Sequence, residues 1–192
     1  MGETTISGTR KPAVTLSRLV FNADKSISGY SSVSFDGLLL GNPVTGTYET
    51  KSDCSMTWSL QDDSGGYQHF SGTTAPGGNK IEFQQTDPGA GQHGIMARTS
   101  DACTAVDVRP QYGFTWGKAK GVLNSAADGA ITISGAETLP SSGTIQVDSD
   151  CIVHIEFSDE IKLRGILVSG GAEMLAIRID PGTTTAVRFI AR

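Results

Sequence analysis

Val44-Thr-Gly-Thr-Tyr-Glu-Thr-Lys-Ser-Asp-Cys54 returns downstream as Ser142-Gly-Thr-Ile-Gln-Val-Asp-Ser-Asp-Cys151, with the Gly-Thr pair ahead of Asp-Cys at the same spacing. The match continues. Phe70-Ser-Gly-Thr-Thr-Ala-Pro-Gly-Gly-Asn-Lys-Ile-Glu-Phe-Gln-Gln-Thr-Asp-Pro-Gly89 aligns without gaps on Leu163-Arg-Gly-Ile-Leu-Val-Ser-Gly-Gly-Ala-Glu-Met-Leu-Ala-Ile-Arg-Ile-Asp-Pro-Gly182. Each copy then closes on a short strand, Ile95-Met-Ala-Arg98 or Phe189-Ile-Ala-Arg192. The chain reads as a tandem duplication, with a first β-repeat over 1–100 and a second over 101–192.

Both copies alternate with period two. In Cys54-Ser-Met-Thr-Trp-Ser-Leu-Gln61, the residues Cys54, Met56, Trp58 and Leu60 share one face of a strand, and Cys151, Val153, Ile155 and Phe157 share the matching face of 151–157. This parity points both cysteines inward. Further strands are expected over 13–21, 26–35, 47–50, 67–71, 80–85 and 93–98. The second copy adds 111–119, 121–123, 130–134, 144–147, 162–168, 173–179 and 186–191. Gly, Asp, Asn and Pro stand between them, and no stretch holds a helical apolar stripe for three turns. The fold class is therefore all-β, a duplicated antiparallel meander forming one or two β-barrels, because closure removes exposed strand edges. Glu173, Leu175 and Ile177 are mostly apolar where the first copy has Lys80, Glu82 and Gln84. That strand of the second copy should be covered on both faces, by the first copy or by a partner chain, as in a homodimer.

The 192 residues suffice for a real core, and a net charge of −5 without a basic cluster gives no footprint for nucleic acid or anionic membrane. No apolar run reaches the length of a membrane helix, and Met1-Gly-Glu-Thr-Thr lacks the regions of a signal peptide. Two readings follow: a cytosolic protein, or one that starts after a removed leader. Three cysteines leave one unpaired if a single bridge forms.

Few motifs carry chemistry. Gly89-Ala-Gly-Gln-His-Gly94 matches the dinucleotide fingerprint in letters, but strands flank it where the fingerprint needs a helix, so a turn is expected and no cofactor. His69, His93 and His154 lack partners at metal-ligand spacing, so no metal is expected, and no nucleophile elbow is present. Asp53-Cys54 and Asp150-Cys151 read as structural or disulfide positions before nucleophiles.

A ligand site, if present, should sit where the copies differ, since shared positions maintain the fold. The first copy carries Phe35, Tyr48, Trp58, Tyr67, Phe70 and Phe83 as interior candidates, where the second has mostly smaller aliphatics. Either these rings fill a core or they border an apolar pocket. The pocket reading takes Trp58, Phe70, Phe83 and Leu39 as substrate-binding residues and Tyr67, His69 and Gln85 as polar, catalytic ones. Leu38, Leu39 and Leu40 form a lid, an oligomer contact or a buried loop. Gln85 and its counterpart Arg178 share parity with inward residues, and an inward Arg178 needs an anion, a carboxylate or several carbonyls.

Cys103-Thr-Ala-Val-Asp-Val-Arg-Pro-Gln-Tyr-Gly-Phe114, followed by Gly143-Thr144, Asp150-Cys151, Gly170-Gly171 and Asp180-Pro-Gly182, resembles a repeat of uncharacterised secreted bacterial β-proteins. The resemblance implies a secreted protein and a Cys103–Cys151 disulfide. The first copy lacks the leading Cys, which implies an unpaired Cys54 and a trimmed N-terminus. A two-copy chain of this kind is also similar to the fungal hetero-Diels–Alderases of tropolone sesquiterpenoid biosynthesis. That similarity implies a β-barrel cyclase that forms a quinone methide by dehydration and guides its cycloaddition to an alkene. The expected function is a cofactor-free cyclase holding a hydrophobic small-molecule substrate in an apolar cavity, or else a non-catalytic secreted binding or structural module.

Overall fold

A computed structural model describes the backbone of residues 2–6, 9–35, 38–63, 65–89, 91–157 and 161–192, and their side chains from residue 12 on except at 35, 38 and 39. The chain divides into two compact units, Met1–Ala97 and Arg98–Arg192. Each is an eight-stranded antiparallel meander.

The first unit runs through β1 (Gly2–Ile6), β2 (Thr9–Phe21), β3 (Ser26–Phe35), β4 (Leu38–Thr50), β5 (Ser55–Asp62), β6 (Tyr67–Thr74), β7 (Lys80–Gln85) and β8 (His93–Ala97), each paired with its neighbour in sequence. It forms an open sheet. The second unit follows a 3-10 turn, Ala105–Asp107, with β9 (Gln111–Trp116), β10 (Ala119–Ser125), β11 (Ala130–Ser134), β12 (Ser142–Val147), β13 (Ile152–Phe157), β14 (Lys162–Val168), β15 (Glu173–Arg178) and β16 (Ala186–Ala191). Here β16 pairs back onto β9 and closes a barrel.

The duplication holds at the level of single turns. Lys25, Cys54, Gly129 and Cys151 all take left-handed φ values, 67°, 64°, 85° and 68°, at the last position of a hairpin turn. In each the preceding Asp accepts the backbone N–H of the following residue: Asp24 from Ser26, Asp53 from Ser55, Asp128 from Ala130 and Asp150 from Ile152. Ser26 and Ser55 add hydroxyl bonds that hold the Asp24 and Asp53 carboxyls below their usual pKa. Cys54 is exposed, against the inward parity expected of it, whereas Cys151, at the same turn position, is fully buried and bonded to Cys103. Within the strand the period-two rule holds: Met56, Trp58 and Leu60 are buried as expected.

Three other expectations change. The segment 111–119 is not one strand, because Gly117 at φ 60° turns the chain between β9 and β10. Leu38, Leu39 and Leu40 open β4, pairing with Phe35, Ser34 and Val33, so they are strand and not a loop. Pairing of Ile81 with Met96 and of Met174 with Phe189 makes Met96 the counterpart of Phe189, one residue off the alignment of the closing strands. The strand 173–178 is buried on both sides, with Met174 at 0% and Ile177 at 2% exposure.

The second unit's core is also aromatic. Tyr112, Phe114 and Trp116 on β9 and Phe189 on β16 are all buried, and Phe114 meets Phe189 across the closing pair with ring centres 5.5 Å apart. These four rings enter on the strands that close the barrel, and Phe157 on β13 meets Trp116 with ring centres 6.3 Å apart.

Candidate functional site

The first unit's inner face follows from register. Trp58 on β5 pairs with Phe70 on β6, Phe70 pairs with Gln85 on β7, and Tyr48 on β4 pairs with Trp58, and directly opposed residues share a face. Trp58 stacks on Phe70 with centres 5.4 Å apart, and Phe83 stands edge-on to both at 5.5 and 5.8 Å. Ile27, Met56 and Leu60 complete the buried cluster, and Leu19, Phe21, Tyr48, Ile81, Phe83 and Met96 pack against it half-buried. Tyr48 is held by an edge contact with Phe21 and by its hydroxyl bond to the Asn22 carbonyl.

The two units differ at matched positions. Ile81, Phe83 and Met96 are half-buried, whereas their counterparts Met174, Ala176 and Phe189 are 0%, 2% and 0% exposed. Barrel closure accounts for this: β16 lies under β9, while β8 is the last strand of an open sheet.

Of the expected site residues, Trp58, Phe70, Phe83 and Gln85 come together on the inner face. Tyr67 and His69 lie on the other face, opposite Gln61 and Ser59, and Tyr67 is 62% exposed and no part of the interior. The side chains of Leu39 and Phe35 lie outside the described residues.

His69 and Gln85 nevertheless meet through a residue that the sequence reading passed over. Asp87, just past β7, accepts the His69 backbone N–H at 2.8 Å, the His69 Nδ1 at 2.7 Å and the Gln85 amide at 2.9 Å. Partial burial disfavours its charge, but the bonds from the His69 backbone and ring and from Gln85, with the charge of His69, outweigh this and lower its pKa to about 2. The ionised carboxylate accepts from Nδ1–H and so fixes the orientation of the His69 ring. Asp180 does the same work in the second unit, accepting the Lys162 backbone N–H and the Arg178 guanidinium. This is the carboxylate that an inward Arg178 requires. The signal was present in sequence, since both copies carry Asp-Pro-Gly at the same offset from a Gly-Gly pair. The clamp is thus a shared strand-end device; the imidazole and the amide are particular to the first unit.

Cys103 and Cys151 form a disulfide with Cα atoms 4.8 Å apart, and Cys54 is free. Among the described residues no cluster of three or more His, Cys, Asp or Glu is placed to hold a metal ion. Comparison of the chain with protein-family models, curated proteins and solved structures finds no match.

Proposed function

We propose that the protein is a binding module for an apolar small molecule, taken on the inner face of the first unit. One observation carries this reading: Ile81, Phe83 and Met96 are half-buried in the open unit where their counterparts in the closed barrel are sealed, and Phe83 sets a ring where that barrel has Ala176. A face of Tyr48, Ile81, Phe83 and Met96 over a rigid Trp58–Phe70 floor suits a flat apolar ligand, and Gln85 supplies a polar group at its border. The disulfide is compatible with an oxidising, extracytoplasmic compartment.

A cofactor-free cyclase is the second reading, and Gln85 favours it. An amide oriented by Asp87 beside stacked rings could polarise one of two reactants held together, which is catalysis by positioning and fixed dipoles. In that case Tyr67 and His69 act at most from the sheet end or the outer face. Incubation with polyketide-like and terpene-like compounds, with native mass spectrometry for retention and liquid chromatography–mass spectrometry for conversion, separates the readings. Retention without conversion supports the module, and conversion lost in Gln85→Ala supports the cyclase. Neither retention nor conversion would refute both.

A further inference from the structure

β4 outruns the strand that follows it. It pairs with β3 from Thr47, opposite Ser26, to Leu38, opposite Phe35, but with β5 only from Thr50 to Val44, opposite Asp62. Among the described residues no strand pairs with the remaining edge, 38–43.

Two bonds set the phase of that edge. The Tyr48 N–H donates to the Lys25 carbonyl at 3.0 Å on the β3 side, and the Lys51 N–H donates to the Ser55 carbonyl at 2.9 Å on the β5 side. The β3–β4 register runs on without a bulge, so even-numbered residues of β4 bond toward β3 and odd-numbered ones toward β5. Leu39 and Gly41 therefore direct their N–H and carbonyl groups away from β3, past the end of β5. Pro43 comes next in that phase and has no N–H, which ends the pairing with β5 at Val44. Pro43 blunts one end of the edge, but no lysine, inward charge or bulge guards the rest, which reads Leu38-Leu-Leu-Gly-Asn42. Leu40 is 40% exposed, and Gly41 is exposed as well. Gly41 owes its identity to Tyr30, whose hydroxyl oxygen would lie 2.0 Å from a Cβ there.

We propose that this edge is an interface between two copies of the chain, joined antiparallel about a twofold axis at Leu40. The strand is self-complementary in that register. Leu39 faces the partner's Gly41 and Gly41 faces the partner's Leu39, so every residue directed at the other copy brings both a donor and an acceptor, and each such pair exchanges both bonds. A register centred on Gly41 would set Leu39 against the partner's Pro43 and lose a donor. The axis at Leu40 also places that exposed side chain beside its own copy in a non-hydrogen-bonded pair, the closer kind, with Cα atoms about 4.5 Å apart. A contact through one short edge lies at the low end of interface sizes, below about 1,200 Å², so the dimer is a reversible one. It uses neither Trp58 nor Phe83 and stands apart from the ligand reading of the inner face.

Trapping tests this on the full chain with Cys54→Ser as the background. Leu40→Cys, oxidised with copper phenanthroline, should form a disulfide-linked dimer at least about tenfold faster than Thr45→Cys, because docking raises the effective thiol concentration only at the contact. Thr45 is exposed too, but on the part of β4 that β5 already pairs. Adding Leu39→Pro removes an outward N–H and no bond to β3, so it should abolish the preference, with urea midpoints showing that each variant stays folded. The unsubstituted chain should sediment with a mass that rises toward the dimer with concentration, and Leu40→Lys should hold it at the monomer, since like charges then meet across the axis. Equal trapping rates, a preference that survives Leu39→Pro, or a monomer at every concentration would overturn the proposal. So would a Leu40→Cys thiol that a maleimide cannot reach in the monomer, because another segment of the same chain would then occupy the edge.

Discussion

Removing the Cys103–Cys151 bridge should weaken the closed barrel by an amount its chain length sets. The cysteines are 48 residues apart, so in the chain-entropy model the bridge restricts the unfolded state by about 4 kcal/mol at 25 °C. For a unit of this size a urea slope of about 1–2 kcal/mol/M turns that loss into a midpoint shift of about 2–4 M. Ala is the replacement of choice, because both sulfurs are buried and a serine hydroxyl would add an unsatisfied group. The chain provides its own reporters, with Trp58 in the first unit and Trp116, 8% exposed, in the second. In a Trp58→Phe background, the Trp116 fluorescence transition of Cys103→Ala/Cys151→Ala should move down by that amount. An unmoved Trp116 midpoint would show that the bridge does not hold the barrel, and would refute the reasoning.

Three further outcomes are expected. Tyr112→Phe removes a fully buried hydroxyl that accepts the Arg109 N–H and donates to the Gly171 carbonyl, so unfolding monitored at Trp116 should show a loss of about 1–3 kcal/mol; no change would mean that these bonds contribute nothing net. Asp87 has its pKa lowered to about 2 in the folded state, so its contribution is complete above the unfolded value near 4 and is lost as pH falls toward 2; Asp87→Asn should flatten the unit's stability across that window in urea titrations at fixed pH. Lys25 sits at φ 67° where the second unit has Gly129, so Lys25→Gly should leave stability unchanged or raise it by up to about 1 kcal/mol; a loss greater than that in the Trp58 transition would contradict the turn geometry.

The fold class and the duplication were legible because alternation and turn residues are local signals. Trp58 and Ile155 occupy matched, buried positions, at 5% and 1% exposure, as the shared Asp-Cys spacing implies. Cys54 was misplaced for a reason that alternation does not carry: Cys151 has the same left-handed turn position and is buried, bonded to Cys103 from the segment ahead of β9, whereas Cys54 is exposed. Closure of one meander and not the other was not legible, since it depends on pairing between β9 and β16, far apart in sequence. The candidate site was half legible. Parity placed Trp58, Phe70, Phe83 and Gln85 together, but the link to His69 runs through Asp87, beyond the strand's end, where alternation says nothing.

The claim that the first unit's inner face takes an apolar ligand meets its most direct test in a Trp116→Phe chain, where Trp58 is the sole tryptophan. Titration with neutral N-phenylnaphthylamine should quench Trp58 saturably by energy transfer. Phe83→Ala, which removes a half-buried ring of that face, should weaken binding by about tenfold, or about 1.4 kcal/mol, with the protein still folded at the assay concentration. Trp58 emission unchanged by the probe, or an affinity indifferent to Phe83→Ala, would contradict the account.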